Sequence, residues 1–243
     1  MYVNCILMIN LWYSVGYQYE SYDFQNHVQT MRKTKQEALQ TRNNLLEAAL
    51  IVFYDRGVAQ ASLDEIAKTA GVTRGALYWH FKNKEDLFDA LFQKHFADIE
   101  QHLEQSSQPA HSDDPLTALY NGMLDHCQSL VSSNEIRKFA TILNFKCEQT
   151  KHNQGIIELS YQYHRRWNQL LINILQESKR QGLLPKNLNV ERALLLLTST
   201  IGGLAVNWLA SPERFNLMAH APAIIQTCFD NLKNSPHLRD EDI

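Results

Sequence analysis

The sequence predicts an all-α fold: an N-terminal three-helix domain with a helix-turn-helix, then a larger helical domain. Three observations carry this. From residue 31 onward, apolar side chains recur at three- and four-residue spacing, the period of helices with one buried face. The 243 residues include nine glycines and six prolines, too few to punctuate an all-β chain. The charge is divided: residues 1–30 carry −2, residues 31–84 carry +4 and residues 85–243 carry −5. A basic segment ahead of a larger acidic one fits a nucleic-acid module joined to a domain with other business, although chance clustering gives the same profile.

The composition also excludes. The hydrophobic fraction of 44% supports a core and is too high for a disordered chain. Cys5, Cys127, Cys147 and Cys228 form no C-x-x-C pair, which disfavours a disulfide framework or cysteine-ligated zinc and fits a reducing compartment. No G-x-S-x-G, H-E-x-x-H, Walker or Rossmann pattern occurs, so no enzyme activity and no cofactor are expected. His95 and His102 lie seven apart without a cysteine or carboxylate at ligand spacing, and read as surface histidines rather than a metal site. His126 and Cys127 are adjacent in a helical stretch and point in different directions, which disfavours a nucleophile pair.

Residues 1–30 look foreign to the fold. They hold seven aromatics and no Lys or Arg, and two asparagines interrupt their apolar run. A signal peptide needs a basic start and a clean apolar core. Met31 is followed by Arg32, Lys33 and Lys35, which reads as the start of a basic arm. Residues 1–30 are therefore expected to derive from an upstream start codon and to be poorly ordered, with a partner-binding or membrane-surface tail as the alternative.

The helices follow in order. Leu45, Ala48, Ala49, Val52 and Phe53 place a helix over 35–56, stopped by Gly57. Ser62-Leu63-Asp64-Glu65 has the form of a capping box and starts a short helix to Ala70. Gly71 breaks it, Val72 is the buried turn residue, and Thr73 caps a second short helix over 74–81. Asn83 caps a long helix through about residue 104, ended by the polar stretch before Asp114.

Two short helices joined by a tight glycine turn behind a longer helix form a helix-turn-helix, whose second member enters the major groove. Arg74 stands at its first position, where a guanidinium can grip a guanine edge. Gly75 and Ala76 allow close approach. Tyr78, Trp79 and His80 offer donors and flat faces, and Lys82 and Lys84 suit phosphate oxygens. Tyr78 and Trp79 as core aromatics is the competing reading.

Residues 62–88, SLDEIAKTAGVTRGALYWHFKNKEDLF, resemble the DNA-binding signature of TetR-family transcriptional regulators. The start MRKTKQEALQTRNNLLEAAL and the stretches DPLTAL, ILNFKCE and NWLASPERFNL are similar to AcrR-type members, drug-responsive repressors of multidrug efflux-pump genes. The resemblance covers residues 31–238. It implies DNA contacts at Thr73, Arg74, Gly75, Tyr78, Trp79, His80 and Lys84, and positions near the backbone at Ser62 and Arg42.

Residues 115–132, 135–147 and 154–181 follow as amphipathic helices, the last ended by Gly182 and Pro185. Residues 190–209 are apolar nearly all round, and Glu191, Arg192 and Asn207 argue against a membrane span. Such a helix must be buried on every face, so one side needs a partner, and a second copy of the chain is the economical one. With the last helix, 217–232, it makes the expected homodimer interface, about 190–232, where TetR-like regulators also dimerise.

A cavity between the four middle helices is expected to take a small hydrophobic or drug-like ligand. Its candidate contacts are Phe92, Phe96, Met123, His126, Cys127, Phe139, Leu143, Cys147, Tyr163, His164 and Trp167, against the reading that these are ordinary core. Some AcrR-type pockets carry an acid on the long fourth helix. Here Phe92, Lys94, His95 and Phe96 occupy that region, which argues against a preference for cations.

The domains expected are thus residues 31–81 for DNA and 82–238 for ligand and dimer, after an extraneous 1–30. The function expected is a cytoplasmic, ligand-responsive repressor that binds a palindromic double-stranded operator as a dimer. By resemblance its target is a multidrug efflux operon. A regulator of lipid or aromatic catabolism and a non-DNA helical binding protein are the alternatives.

Overall fold

The computed structural model describes residues 23–107, 114–147 and 153–240, with side chains over 34–95, 114–147 and 153–240. Chain contacts divide the molecule into residues 1–43 and residues 44–243. The first contributes the forward part of α1 (Asp23–Arg56), largely exposed over residues 34–43. This helix begins at Asp23 rather than near Lys35. No Gly or Pro lies between Gly16 and Gly57, so nothing stops the helix from extending back. Residues 23–30 are therefore helical, whereas residues 1–22 of the segment expected to be extraneous lie outside the described residues.

Within residues 44–243, α1 delivers Leu45, Ala49, Val52 and Phe53 to a core shared with α2 (Leu63–Thr69), α3 (Arg74–His80) and α4 (Lys84–Ser107). The turn between α2 and α3 is a Schellman motif. The Val72 amide donates to the Ala67 carbonyl and the Gly71 amide to that of Lys68, with Gly71 at φ +69°. Val72 is half-buried rather than buried. The expected capping box is half formed. Ser62 Oγ accepts from the Glu65 amide at 3.2 Å, but the Glu65 carboxylate turns away to Arg56, 3.1 Å distant, because a charged partner outcompetes a neutral amide.

The second core is built by α5 (Pro115–Ser132), α7 (Gln154–Arg180), α8 (Val190–Ala210) and α9 (Leu217–Asn234). Between α5 and α7, α6 (Asn134–Thr141) passes into a π-helical turn, Ile142–Lys146, where one continuous helix was expected over 135–147. Phe139 and Ile142 join the first core from this segment, as Ile156 does from α7. The carbonyl of Lys146 accepts from the Val58 amide at 2.9 Å, tying the turn to the loop after α1. Among the described residues α8 is long and apolar enough to cross a membrane, with a mean hydropathy of 1.6, yet it packs on α5, α6, α7 and α9.

Candidate nucleic-acid interface and effector cavity

Helix α3 has seven residues and buries one, Leu77, with Phe81 closing the core behind it. Thr73 Oγ1 accepts from the Ala76 amide at 3.2 Å and satisfies the helix start. The rest of the helix faces outward. Trp79 is 74% exposed and Tyr78 43%, so neither is a core aromatic. Arg74 stands beside Asp64, 3.0 Å from Nε to Oδ1, with its guanidinium near the Tyr78 hydroxyl and 5.4 Å from that ring's centre. The Tyr78 hydroxyl, then the Asp64 charge, raise its pKa. Both partners are exposed, so this ion pair is weak and exchangeable. It holds the guanidinium in one orientation until a better acceptor replaces Asp64. His80 is half-buried, its ring edge-on to Trp79 at 4.5 Å.

The remaining members of the set divide. Ser62, Thr73 and Gly75 are exposed, with the Ser62 and Thr73 hydroxyls already serving as caps. Arg42 belongs to the forward part of α1. Lys84 behaves differently from a free phosphate contact. Its ammonium donates to the carbonyls of Val58 at 2.8 Å and Ala59 at 3.3 Å, and partial burial lowers its pKa. It pins the start of α4 to the chain that leaves α1.

The second feature is a cavity of about 480 Å³ walled by α4, α5, α6 with its π-turn, α7 and α8. Phe92, Met123, His126, Phe139, Leu143, Cys147, Tyr163, His164 and Trp167 all line it. Cys127 does not. It is wholly buried in the second core, where burial pushes its thiol up to about 11 and makes it unreactive. The side chain of Phe96 lies outside the described residues, as does that of His102.

His95, read from the sequence as a surface histidine, is buried against this cavity. Its side chain is 8% exposed and stacked on Phe139 at 4.5 Å. Burial lowers its pKa, opposed by Glu135, whose carboxylate is 3.8 Å away and engaged by Lys94. Burial lowers the pKa of His126 too. No Asp, Glu, Lys or Arg lines the cavity among the described residues.

The sequence reading missed the fifth wall, where α8 contributes Leu197, Thr198, Ile201, Gly202 and Ala205. Their spacing puts them on one face of the helix and marks it as a contact stripe. Whether such a stripe meets a neighbouring helix or a void is a tertiary matter. Among the described residues no cluster of three His, Cys, Asp or Glu could hold a metal ion.

The comparisons with known proteins fit these two features. Residues 45–91 match the model of bacterial regulatory proteins of the tetR family, and residues 114–234 match the C-terminal region of MAATS-type transcriptional repressors. The chain is 36% identical to the probable transcriptional regulator ArpR of Pseudomonas putida, covering 86% of this chain and 99% of ArpR. It is 35% identical to the transcriptional regulator AcrR of Shigella flexneri, covering 86% and 97%. The crystal structure of NalD, the secondary repressor of the MexAB-OprM multidrug efflux pump in Pseudomonas aeruginosa, superposes with a TM-score of 0.72 at 31% identity. It covers 82% of this chain and 99% of that one. An exposed helix-turn-helix on the first core, a cavity walled by residues of both cores and relatives covered nearly end to end leave one conclusion: the chain belongs to the TetR family of bacterial transcriptional regulators.

Proposed function

We propose that this protein is a cytoplasmic, ligand-responsive repressor. As a homodimer it binds a palindromic operator, controls a multidrug efflux operon and is released by small hydrophobic compounds. Residues 31–81 serve as the DNA module and 82–238 as the ligand and dimer module. Arg74, Tyr78, Trp79 and His80 face the bases and backbone, with Arg42, Ser62, Thr73, Gly75 and Lys84 supporting the fit. The observation that carries this is the placement of α4. It starts directly after the DNA-reading helix and walls the cavity with Phe92 and His95.

A dimer reads two half-sites only when its two reading helices are spaced to match successive major grooves, about 34–36 Å apart. A ligand that favours another spacing weakens operator binding by linkage alone. The surface for the second copy is the outer stripe of α8 and α9, where Leu195 is 59% exposed and Val206 and Ile224 are also exposed. The efflux target is supported by the relatives' names.

The test is a mobility shift of the protein on the DNA just upstream of its own gene, across a salt series and with hydrophobic drugs added. Binding with a steep salt slope and release by drug supports the whole reading. Binding that no drug disturbs keeps the repressor and removes the efflux assignment. No specific binding there or in a genome-wide site selection removes the repressor.

A further inference from the structure

We propose that the hydrogen bond from Tyr163 to Asp89 is the latch through which occupancy of the cavity is read by α4, an inference that rests on the repressor reading above. Tyr163 belongs to α7 and lines the cavity. Its hydroxyl donates to Asp89 Oδ1 on α4 at 2.7 Å, while Asp89 Oδ2 accepts from Gln93 Nε2 at 2.9 Å. The same ring lies flat on Phe92, with centroids 4.3 Å apart and planes 6° from parallel. One side chain is thus both a wall of the cavity and a tie to the helix that leads back to the DNA-reading element.

The far end of that helix is anchored. Lys84 bonds the Val58 and Ala59 carbonyls, and Phe88 meets Phe53 of α1 edge-on at 5.6 Å and Phe92 at 5.3 Å. Tyr163, Phe92, Phe88 and Phe53 therefore form a continuous run of ring contacts from the cavity to the first core. Close-packed rings transmit displacement because they cannot compress. Burial, reinforced by the Asp89 carboxylate, raises the Tyr163 pKa, so the phenol keeps its proton and remains the donor.

The rings of Tyr163 and Phe92 are in contact and leave no room between them. A ligand that needs space beside Phe92 must tilt Tyr163 and pull its hydroxyl from Asp89. The half-buried carboxylate then loses a donor, and α4 loses one side-chain hydrogen bond to α7. Ligand binding and the intact bond compete, so the bond belongs to the ligand-free state. Reciprocally, removing it eases ligand entry while erasing the signal.

The experiment uses the full chain with N-phenyl-1-naphthylamine, an uncharged fluorescent aromatic amine, as probe. Probe affinity is read by fluorescence and α4 by amide hydrogen exchange over residues 84–92. In the wild type, probe should speed that exchange roughly fivefold or more, the low end of ordinary coupling. Tyr163→Phe keeps the ring and the wall. It should bind probe more tightly than the wild type, because no bond opposes entry, but exchange fast already without probe and change less than about twofold when it is added. Asp89→Ala should do the same, the double variant no more than either alone, and Asp89→Asn, which keeps an acceptor oxygen, should restore most of the response. A Tyr163→Phe protein that responds like the wild type overturns the latch, as do single effects that simply add. If Tyr163→Phe only weakens probe binding and keeps the response, Tyr163 is wall alone, which also overturns it. A wild type that binds neither probe nor operator sinks the repressor reading itself, whereas one that binds both while the variants behave normally sinks only the latch.

Discussion

Arg74 and Lys84 show how two basic side chains with one sequence-level expectation are separated by their surroundings. Arg74 is held at the surface by an exposed carboxylate it can exchange. Arg74→Ala should cost operator binding about 1–3 kcal/mol and relax selectivity at one base pair, measured by titrating operator variants. An operator affinity left unchanged rules out direct reading by this residue. Lys84 spends its ammonium on two carbonyls of its own chain. Lys84→Met should lower folding stability by about 1.5–3 kcal/mol, because charged hydrogen bonds are lost from a partly buried place. It should leave the salt slope of operator binding unchanged. A slope reduced by about one would instead make Lys84 a phosphate contact. Sequence pattern could not separate these residues. Each is a cation beside a short helix, and only the fold decides which carbonyls stand within reach.

The short helices depend on their ends more than on their length. Helices α2 and α3 have seven residues each, too few to be stable alone, and each start is held by one hydroxyl. Ser62→Ala and Thr73→Ala should each lower stability by about 1 kcal/mol in chemical denaturation. The Thr73 variant should also weaken DNA binding, because its helix carries Arg74 to His80. Both caps were legible in the sequence, since a cap is local chemistry between residues three apart. The π-turn at 142–146 was not. Nothing in Ile-Leu-Asn-Phe-Lys demands it, and it forms where Lys146 must reach the Val58 amide while Leu143, Asn144 and Cys147 face the cavity. The start of α1 was misjudged for the opposite reason. A change of composition at Met31 looked like a boundary, yet no glycine or proline stands there to stop the helix.

At the scale of the whole molecule, α8 and α9 leave Leu195, Val206 and Ile224 exposed. Val206→Asp or Leu195→Asp should leave each protomer folded and convert dimer to monomer in sedimentation. Operator affinity should fall steeply, because each half-site must then be bound alone. A dimer that persists in both variants would place the interface elsewhere. Stability should also depend on pH through His126 and His95, both lowered by burial. Burial holds His126 below the usual histidine value. A group whose folded pKa is lowered contributes its full stability above the unfolded value, near about 6.5, and loses it as pH falls through the folded value. Thermal melts should therefore drop as pH falls below about 6.5, and His126→Gln should flatten that slope. A variant that melts with the same pH dependence as the wild type removes His126 as the cause.

Local order reveals itself in the chain: helix periods, glycine stops, hydroxyl caps and the basic reading helix depend on residues within a few positions of one another. Their physics is short-range, so Thr73 caps α3 in the fold just as its place in the sequence predicts. The cavity needed the third dimension. Cys127 and Met123 share a helix, a hydrophobic period and a core, yet only Met123 also borders the void. His95 became a buried wall residue, and Tyr163 found Asp89 from seventy-four positions away. Which face of an amphipathic helix meets a void, a ring or a carboxylate is set by how the helices cross, and no spacing along one chain encodes that.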